Sequence, residues 1–492
     1  MNPVRVRFAP SPTGHLHLGG ARTALYDYLI ARRTGGQFIL RIEDTDRKRF
    51  VPEAEQEIIE GLHWFGIDWD EGPDIGGPYG PYHQSDRKEI YQEYGRKLVK
   101  SGHAYFCFCS QERLSQMRKK QQAEKKPPHY DGTCRNLSIN EAEKRIASGE
   151  PYVIRFKSPK ERHTVVRDLL RGEIIVENHT LDDYILIKSD GWALYHLAAV
   201  VDDHLMKITH VIRGSEWLPT LPLHSLIHRA FGWEEPTWVH LSVFLKPSGK
   251  GKMSKREAAG LDKDGYSIFI KDLKKLGYLP EAVMNWIALM GWSYDDHTEY
   301  FKLENLIEKF SLERLNPSPA AINFTKLDHF NKIHIKALPP SEFAERVKPY
   351  FTSCGYSVNE EMLVKIAPII NERITTLNDA LEMASFFFKD KIEYNAEAMV
   401  VRDLSVKASI EIGREVSKLL ADQRDWTAAA IELPMRALLQ KMDLSARQVF
   451  SFIREAISGQ RVSPPLFESM EILGKDQVLN RLNNAINFLQ DI

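Results

Sequence analysis

Apolar residues at the start of the chain change from the spacing of a strand to that of a helix. They alternate over positions 4–8, as on a half-buried strand, and recur every three or four residues over positions 21–29. Prolines and Gly14 between the two patterns predict a turn, which carries His15 and His17 to the helix N-terminus. Unpaired backbone N–H groups there favour an anion, so the pattern predicts a phosphate site, with a tight connection that binds nothing as the alternative.

A second apolar strand is predicted over residues 38–42, and it ends in the acidic residues Glu43 and Asp44. Ligands bind at the strand ends of open α/β sheets. Glu43 is therefore expected to face the same crevice as the turn, unless the acidic residues only cap the next helix.

Two further apolar runs, 191–204 and 208–217, are interpreted as buried strands that end in polar clusters. Within the second run, Arg213 follows the apolar strand and precedes Gly214, a position from which a side chain can point into the crevice at the sheet end. An ion pair with Glu216 or another neighbour is the alternative. Residues 105–197 have short strand-like pieces and basic runs, which predicts an insertion between two halves of a nucleotide-binding fold.

The chain from residue 333 onward is predicted to be helical. It contains only four glycines, and amphipathic runs recur at helical spacing, for example over 362–370, 377–388 and 447–457.

Composition indicates an ordinary globular chain of several domains. The 492 residues are 43% hydrophobic and 27% charged, with no apolar run long enough to span a membrane and no evident secretory signal. Four cysteines are too few for a disulfide framework, so a reducing, cytoplasmic location is expected. The net charge of −1 excludes a uniformly basic nucleic-acid binder. Basic segments at 113–126, 155–171 and 246–256 nevertheless favour a polyanionic partner, with solvated surfaces as the alternative.

Two clusters carry candidate chemistry. The loop at 245–256 is rich in glycine, serine and lysine, and such a loop can close over a polyphosphate during nucleotidyl transfer; an exposed basic linker is the alternative. Cys107, Cys109 and Cys134 offer three thiolates, but structural zinc takes four ligands and a fourth is not evident, so zinc and coincidence both remain open.

Taken together and in order, these motifs resemble class I aminoacyl-tRNA synthetases, and within them the glutamyl-tRNA synthetase family. His17-Leu-Gly-Gly20 and Lys252-Met-Ser-Lys-Arg256 are similar to the HIGH and KMSKS motifs, with Gly20 in the last HIGH position and Arg256 in place of the final serine. The resemblance runs from residue 5 to the C-terminus. Further matches are Arg7-Phe-Ala-Pro-Ser-Pro-Thr-Gly14, Arg41-Ile-Glu-Asp-Thr-Asp46, Tyr195-His-Leu-Ala, Val201-Asp-Asp-His204, Val211-Ile-Arg-Gly-Ser-Glu-Trp217 and Ser463-Pro-Pro-Leu-Phe467.

The resemblance implies a role for each matched residue. Glu43 is expected to face the α-ammonium of glutamate and Arg213 its side-chain carboxylate. The complete implied glutamate site is Arg7, Ala9, Ser11, Glu43, Tyr195 and Arg213. The implied ATP site is His17, Gly19, Gly20, Glu216, the backbone around Leu245, Lys252, Met253, Ser254, Lys255 and Arg256, with His17, Lys252 and Lys255 as the catalytic members.

The implied reaction requires no protein nucleophile. The glutamate α-carboxylate attacks the α-phosphorus of ATP, so the protein must align two anions and, with Mg²⁺, stabilise the departing pyrophosphate. The glutamyl group then passes from the adenylate to the terminal adenosine of tRNA-Glu, and the family requires tRNA for activation. Since a buried guanidinium without its carboxylate is costly, Arg213 is expected to reject glutamine.

For the cysteines, the resemblance implies a ligand set without deciding whether zinc is bound. Some relatives bind Zn²⁺ through two close cysteines, a later cysteine and a histidine two residues beyond it. Asn136, a poor ligand, stands at that last position, whereas Tyr130 is spaced as a tyrosine ligand is in a tRNA-modifying paralogue. The implied set is Cys107, Cys109, Tyr130 and Cys134.

The implied architecture is α/β: a Rossmann-like class I catalytic domain with an α+β acceptor-binding insertion, followed by an all-α anticodon-binding region. The expected divisions are the catalytic halves 1–104 and 198–248, the insertion 105–197, the KMSKS loop and stem-contact domain 249–332, and helical anticodon-binding domains 333–394 and 395–492. The expected partners are L-glutamate and tRNA-Glu, and the expected state is a monomer.

Three alternatives remain. The first is a glutamyl enzyme that also charges tRNA-Gln, the second is a glutaminyl-tRNA synthetase, and the third is a small-molecule nucleotidyltransferase. The helical end disfavours the glutaminyl enzyme, which carries β-barrels there, and the long segment after residue 256 disfavours a small-molecule enzyme.

Overall fold

The structure, a computed structural model, describes residues 3–46, 49, 51–251, 253, 266–401 and 403–491. The chain divides into two compact units. The first is Met1–Leu273 with Met284–Phe324, and the second is Lys274–Val283 with Thr325–Ile492.

The first unit begins with the predicted strand, turn and helix. Strand β1 (Arg5–Phe8) pairs in parallel with β2 (Gln37–Leu40), and helix α1 (Leu18–Thr34) connects them. Gly35 caps the C-terminus of helix α1, and its φ of 65° is the left-handed conformation that favours glycine. The helices that follow are α2 (Pro52–Trp64), α3 (Lys88–Lys100), α4 (Gln111–Ala123), α5 (Ile139–Ala147), α6 (Tyr195–Leu205) and α7 (Leu221–Phe231).

The remaining strands form three groups. These strands are β3 (Ala104–Cys107), β4 (Val153–Phe156), β5 (His163–Asp168), β6 (Gly172–Glu177), β7 (Ile185–Ile187), β8 (His210–Gly214), β9 (Thr237–Leu241), β10 (Phe244–Leu245) and β11 (Ala320–Ala321). One group is the antiparallel sheet β3-β4-β7, another is the sheet β6-β5-β9-β8, and β10 pairs with β11 in parallel.

The strands of the segment predicted as an insertion are divided between two sheets. β3, β4 and β7 form a sheet of their own, but the hairpin of β5 and β6 extends the sheet that contains β8 and β9. The join is parallel and pairs Asp168 of β5 with Trp238 of β9. A residue of the insertion segment thereby reaches the strand that neighbours Arg213.

The interpretation of 191–204 as a strand was wrong, because Tyr195–Leu205 is helix α6. A continuous apolar run does not distinguish a buried strand from a buried helix. Here the helix is buried over Leu197–Asp203, so its sequence lacks the polar face that normally reveals a helix. The prediction for the second run is correct over β8, and a 3₁₀ helix (Ser215–Thr220) follows it.

The second unit is helical, as predicted, and within its described residues no strand occurs. Arg481 is 2% exposed, and its guanidinium donates to the carbonyl oxygens of Ile457 and Phe386, which joins three helical segments.

The helices after α7, in both units, span Ile270–Lys275, Pro280–Leu289, Leu303–Lys309, Phe324–Lys336, Pro340–Ser353, Glu360–Ile370, Leu377–Ala384, Ala396–Met399, Val406–Asp422, Ala428–Met442, Ala446–Ser458, Leu466–Leu473 and Lys475–Gln490.

No helix among the described residues is long and apolar enough to cross a membrane.

Candidate active site

A cavity of about 620 Å³ lies in the first unit where β1, α1, α6 and β8 meet. Most residues predicted for the two substrates line this one cavity. From the glutamate set these are Arg7, Ala9, Ser11, Glu43, Tyr195 and Arg213, and from the ATP set His17, Gly19, Gly20, Glu216 and Met253.

The other predicted residues are not placed on the wall. Leu245, although described, is not a lining residue; its carbonyl oxygen accepts a hydrogen bond from the Ile322 backbone N–H. Lys252, Ser254, Lys255 and Arg256 lie outside the described residues. The wall also contains residues to which no role was assigned. Some belong to the quoted motifs, namely Phe8, Leu18, Ile212, Gly214 and Trp217. The others lie outside those motifs, namely Arg22, Thr23, Ser242, Val243, Phe244, Ile268 and Ile322.

One end of the cavity rests on a buried network of charges centred on Asp203. This carboxylate accepts from Arg7 Nε at 2.9 Å and from an Arg41 nitrogen at 2.8 Å, and Arg41 also donates to Glu43 at 3.1 Å. Burial alone would raise the pKa of Asp203, but the two arginines overcome that effect and lower it to about 2. The network therefore holds two residues of the cavity wall in place: Arg7 bonds to the ionised Asp203, and Glu43 bonds to Arg41.

Glu43 combines burial with exposure to the cavity. The residue is 8% exposed, and burial raises the pKa of its carboxyl, against the opposing effect of Arg41 and Arg7. An incoming cation such as an ammonium group would favour the ionised carboxylate in the same way as these arginines do.

Arg213, 6% exposed, has only neutral partners among the described residues. Its Nε donates to His240 Nε2 at 2.9 Å, and its Nη1 to the Tyr195 hydroxyl and to His224 Nδ1, both at 3.2 Å. Its Nη2 is buried and, within the described part of the chain, has no partner. The ion pair with Glu216 considered above is therefore absent from the described contacts, and the Arg213 cation lacks a direct anionic partner there.

Aromatic contacts hold Tyr195 beside that guanidinium. Its ring lies 4.3 Å from the ring of Trp217, centroid to centroid, and burial raises the pKa of its hydroxyl. Because the hydroxyl accepts from Arg213, its own proton remains available to a ligand.

The turn before α1 differs from the prediction in one important respect. The backbone N–H groups of Gly19 and Gly20 are not simply open to an anion, because both donate to His17 Nδ1, at 3.1 and 3.3 Å. His17 is thus the N-cap of α1, and a neutral ring that accepts at Nδ1 carries its proton on Nε2. Sequence alone did not reveal this, since histidine is not a usual capping residue.

His15, the other histidine of the turn, is not part of the described cavity wall. It pairs with Glu57, and Lys271 lies 3.0 Å from its ring nitrogens. The structure therefore separates the two histidines that the sequence left side by side.

Gly214 provides space for Glu216 on the cavity wall. A Cβ built on Gly214 would lie 2.2 Å from Glu216 Oε2, although its φ of −68° suits any residue. Arg22 lies close by, with its guanidinium 4.1 Å above the Phe244 ring, and donates to Ser242 O and Met290 O.

The three cysteines meet outside this cavity. Their sulfur atoms all lie within 4.8 Å of one another, and those of Cys109 and Cys134 are 3.7 Å apart. Thiolates about 2.3 Å from a tetrahedral zinc ion would be about 3.8 Å apart. The Tyr130 hydroxyl lies 3.4 Å from the sulfur atoms of Cys107 and Cys109, whereas Asn136 is exposed. The three cysteines could hold a metal ion, and the Tyr130 hydroxyl lies beside two of their sulfur atoms.

Family models match both parts of the chain. The model described as "tRNA synthetases class I (E and Q), catalytic domain" matches residues 3–329, and the model described as "Anticodon binding domain" matches residues 342–486. The chain therefore belongs to the glutamyl and glutaminyl family of class I tRNA synthetases. The predicted family and fold class are confirmed.

Relatives along the whole length are named glutamate–tRNA ligases. One from Chloroflexus aurantiacus is 44% identical over 504 residues, covering 100% of this chain and 99% of the relative. Another from Dehalococcoides mccartyi is 42% identical over 496 residues, with the same coverage. A crystal structure described as a glutamate tRNA ligase from Elizabethkingia meningosepticum in complex with its amino acid is 38% identical, has a TM-score of 0.91, and covers 99% of this chain and 100% of that one.

Proposed function

We propose that the protein is a glutamate–tRNA ligase, which converts L-glutamate and ATP to glutamyl adenylate and pyrophosphate and then transfers glutamate to the 3′-terminal adenosine of tRNA-Glu, releasing AMP. The observation that carries the proposal is Arg213, a buried cation on the cavity wall whose described partners are all neutral. The names of the full-length relatives support the same activity.

Glutamate would bind between the two charged ends of its site. The ammonium faces Glu43, Arg7 orients the α-carboxylate, and the side-chain carboxylate accepts from Arg213 Nη2 and from the Tyr195 hydroxyl. Charge-assisted hydrogen bonds of this kind are about twice as strong as neutral ones. Glutamine would leave the Arg213 charge without an anionic partner, which is costly in a buried site.

ATP would occupy the other side of the cavity. His17 donates from Nε2 to a phosphate, while Glu216 and the segment 242–245 hold the nucleoside. Lys252, Met253, Ser254, Lys255 and Arg256 would close over the phosphates from the loop that follows. When bound with ATP, Mg²⁺ supplies further neutralisation of the pyrophosphate. The glutamate α-carboxylate then attacks the α-phosphorus and pyrophosphate leaves, so that positioning and electrostatics provide the catalysis.

Exchange of labelled pyrophosphate into ATP, with tRNA-Glu present, tests the proposal. Glutamate should support exchange and glutamine should not, and exchange without RNA should be negligible. Arg213→Met should lower kcat/KM for glutamate by at least about 100-fold, since a buried charged hydrogen bond is lost. Arg229→Met removes an arginine that pairs with Glu235 outside the cavity and serves as the matched control. Exchange with glutamine but not glutamate would refute the proposal.

We propose in addition that Cys107, Cys109, Tyr130 and Cys134 bind one structural Zn²⁺. The sulfur distances and the Tyr130 hydroxyl support this set. Elemental analysis of the purified protein should find about one zinc per chain. Cys134→Ser should remove it, whereas Cys354→Ser, at an exposed free cysteine, should not. Protein purified without a chelator that contains no zinc would contradict the assignment.

The RNA would contact both parts of the chain. In the proposed division, the insertion 105–197 binds the acceptor stem, residues 249–332 carry the KMSKS loop and contact the stem, and residues 333–394 and 395–492 bind the anticodon. The exposed Arg118, Lys119 and Lys120 of α4 support an RNA contact. We expect a cytoplasmic monomer. Charging assays with purified tRNA-Glu and tRNA-Gln decide whether the second RNA is also a substrate.

A further inference from the structure

The partners of Arg213 form a chain of hydrogen bonds that reaches well beyond the cavity. On one side, Arg213 Nε donates to His240 Nε2, and His240 Nδ1 lies 2.7 Å from Asp168 Oδ2. On the other side, Arg213 Nη1 lies 3.2 Å from His224 Nδ1, and His224 Nε2 lies 3.0 Å from His196 Nδ1. Apart from Arg213 itself, only His196 in this chain of hydrogen bonds belongs to one of the quoted motifs.

The donor and acceptor at every bond follow from Arg213. A guanidinium can only donate, so His240 must accept at Nε2 and carry its proton on Nδ1, which then donates to Asp168. By the same argument, His224 must accept at Nδ1 and donate from Nε2 to His196. Each ring therefore has one tautomer, and a proton added to either accepting nitrogen would break its bond to Arg213.

Asp168 is built to hold His240 in that tautomer. Its Oδ2 accepts from both the backbone N–H and the ring of His240, and its Oδ1 accepts from the backbone N–H groups of Leu170 and Arg171. All four positions around the carboxylate are thus donors. An asparagine at this position would place its NH₂ group against N–H donors whichever way its amide is turned. Where that group faces His240, the ring could accept at Nδ1 only by carrying its proton on Nε2, which would then face the N–H donor of Arg213.

We propose that Asp168, His240 and His224 are positioning residues that determine the preference for glutamate over glutamine. By occupying Nε and Nη1 with neutral acceptors, they direct the one unpaired nitrogen, Nη2, at the substrate side chain and leave the charge of Arg213 without a direct counter-ion. This inference rests on the proposed function, because it concerns the same amino-acid site.

Substitutions that imitate one ring nitrogen at a time test the proposal. Asparagine places an acceptor near the position of Nδ1, and glutamine places one near Nε2. Therefore His224→Asn should retain more glutamate activation than His224→Gln, and His240→Gln more than His240→Asn. Asp168→Asn completes the set. His228→Gln is the matched control, since His228 is a buried histidine one turn from His224 whose ring contacts Trp233 and Trp238 and is not part of the hydrogen-bond chain of Arg213.

Pyrophosphate exchange with glutamate and with glutamine, in the presence of tRNA-Glu, provides the measurement. Asp168→Asn should raise KM for glutamate at least about 10-fold, as expected for a displaced charged hydrogen bond, and leave KM for ATP within about threefold. Its ratio of kcat/KM for glutamate to that for glutamine should fall by a similar factor. The ratio should stay at the wild-type value in His228→Gln.

The outcomes separate the inference from the proposed function. If the wild type prefers glutamine, the proposed function fails and the inference fails with it. If the wild type prefers glutamate but the variants change both amino acids in equal proportion, or the asparagine and glutamine variants do not differ by position, the inference alone is wrong. Thermal unfolding of each variant identifies any loss that comes from misfolding.

Discussion

His17 has two separable tasks, and two substitutions distinguish them. Its Nδ1 caps α1 by accepting from Gly19 and Gly20, and its ring lines the cavity at the proposed ATP site. His17→Ala removes both the cap and the ring. His17→Asn keeps an oxygen that can accept the same N–H groups, because asparagine is among the best N-cap residues.

The two tasks differ in size. An N-cap contributes about 1 kcal/mol to the free energy of unfolding, so His17→Ala should be destabilised by roughly that amount and His17→Asn by less than about 0.5 kcal/mol. A preorganised donor to the charge that develops in the transition state is worth about 100-fold to 1000-fold in kcat. Both variants should therefore lose that factor in adenylate formation.

Urea unfolding measures the first quantity, and single-turnover formation of glutamyl adenylate with tRNA-Glu measures the second. KM for glutamate should change by less than about threefold in both variants, since removing a contact made in the transition state lowers kcat rather than substrate binding. His15→Asn is the matched control, because His15 belongs to the same turn and pairs with Glu57 away from the described wall.

Two results would refute this reasoning. If His17→Asn recovers wild-type adenylate formation, the cap is the whole contribution of His17 and its ring does not serve ATP. If either variant weakens only glutamate affinity, the assignment of Arg7 to Ser11 to the amino acid and of His17 to Gly20 to ATP is wrong.

Three further predictions concern stability and the nucleoside. Asp203→Asn removes the negative charge that pairs with the buried Arg7 and Arg41, so it should lower the free energy of unfolding in urea by about 3–5 kcal/mol. Glu93→Gln changes an exposed ion pair and should stay within about 0.5 kcal/mol of wild type. Gly214→Ala should displace the Glu216 carboxylate and raise KM for ATP with little change in stability; an unchanged KM would argue against a role for Glu216 in ATP binding. Burial lowers the pKa of His196 from 6.5 to about 4, so the free energy of unfolding should be highest above pH 6.5 and fall by up to about 3 kcal/mol as the pH decreases to 4. His196→Asn should flatten this pH dependence in urea titrations. An unchanged pH dependence would exclude His196 as its source.

The sequence was most informative where chemistry and position coincide in a short segment. Glu43 follows a strand and Arg213 ends one, so the rule that ligands bind at strand ends predicted a common crevice, and both residues line one cavity. The family and the helical second unit were also predictable, because ordered motifs and amphipathic periodicity are local properties of the chain.

The parts that escaped prediction depend on distant contacts. His240 and Asp168 are 72 positions apart, and only the pairing of β5 with β9 brings them together. The run 191–204 was misinterpreted because helix α6 is buried on all sides over Leu197–Asp203 and has no polar face there to give its period. The capping role of His17 depends on a ring orientation that no spacing reveals.

The pairing of β5 with β9 also limits how this protein can be recombined. Residues 105–197, the proposed acceptor-stem insertion, would be the obvious segment to exchange between relatives. However, that exchange would replace Asp168 and the whole hairpin of β5 and β6, whose strand β5 pairs with β9. If Asp168 positions Arg213 as proposed, a chimera with a foreign insertion should keep its amino-acid selection only when it retains residues 163–177, or a matching aspartate and strand register.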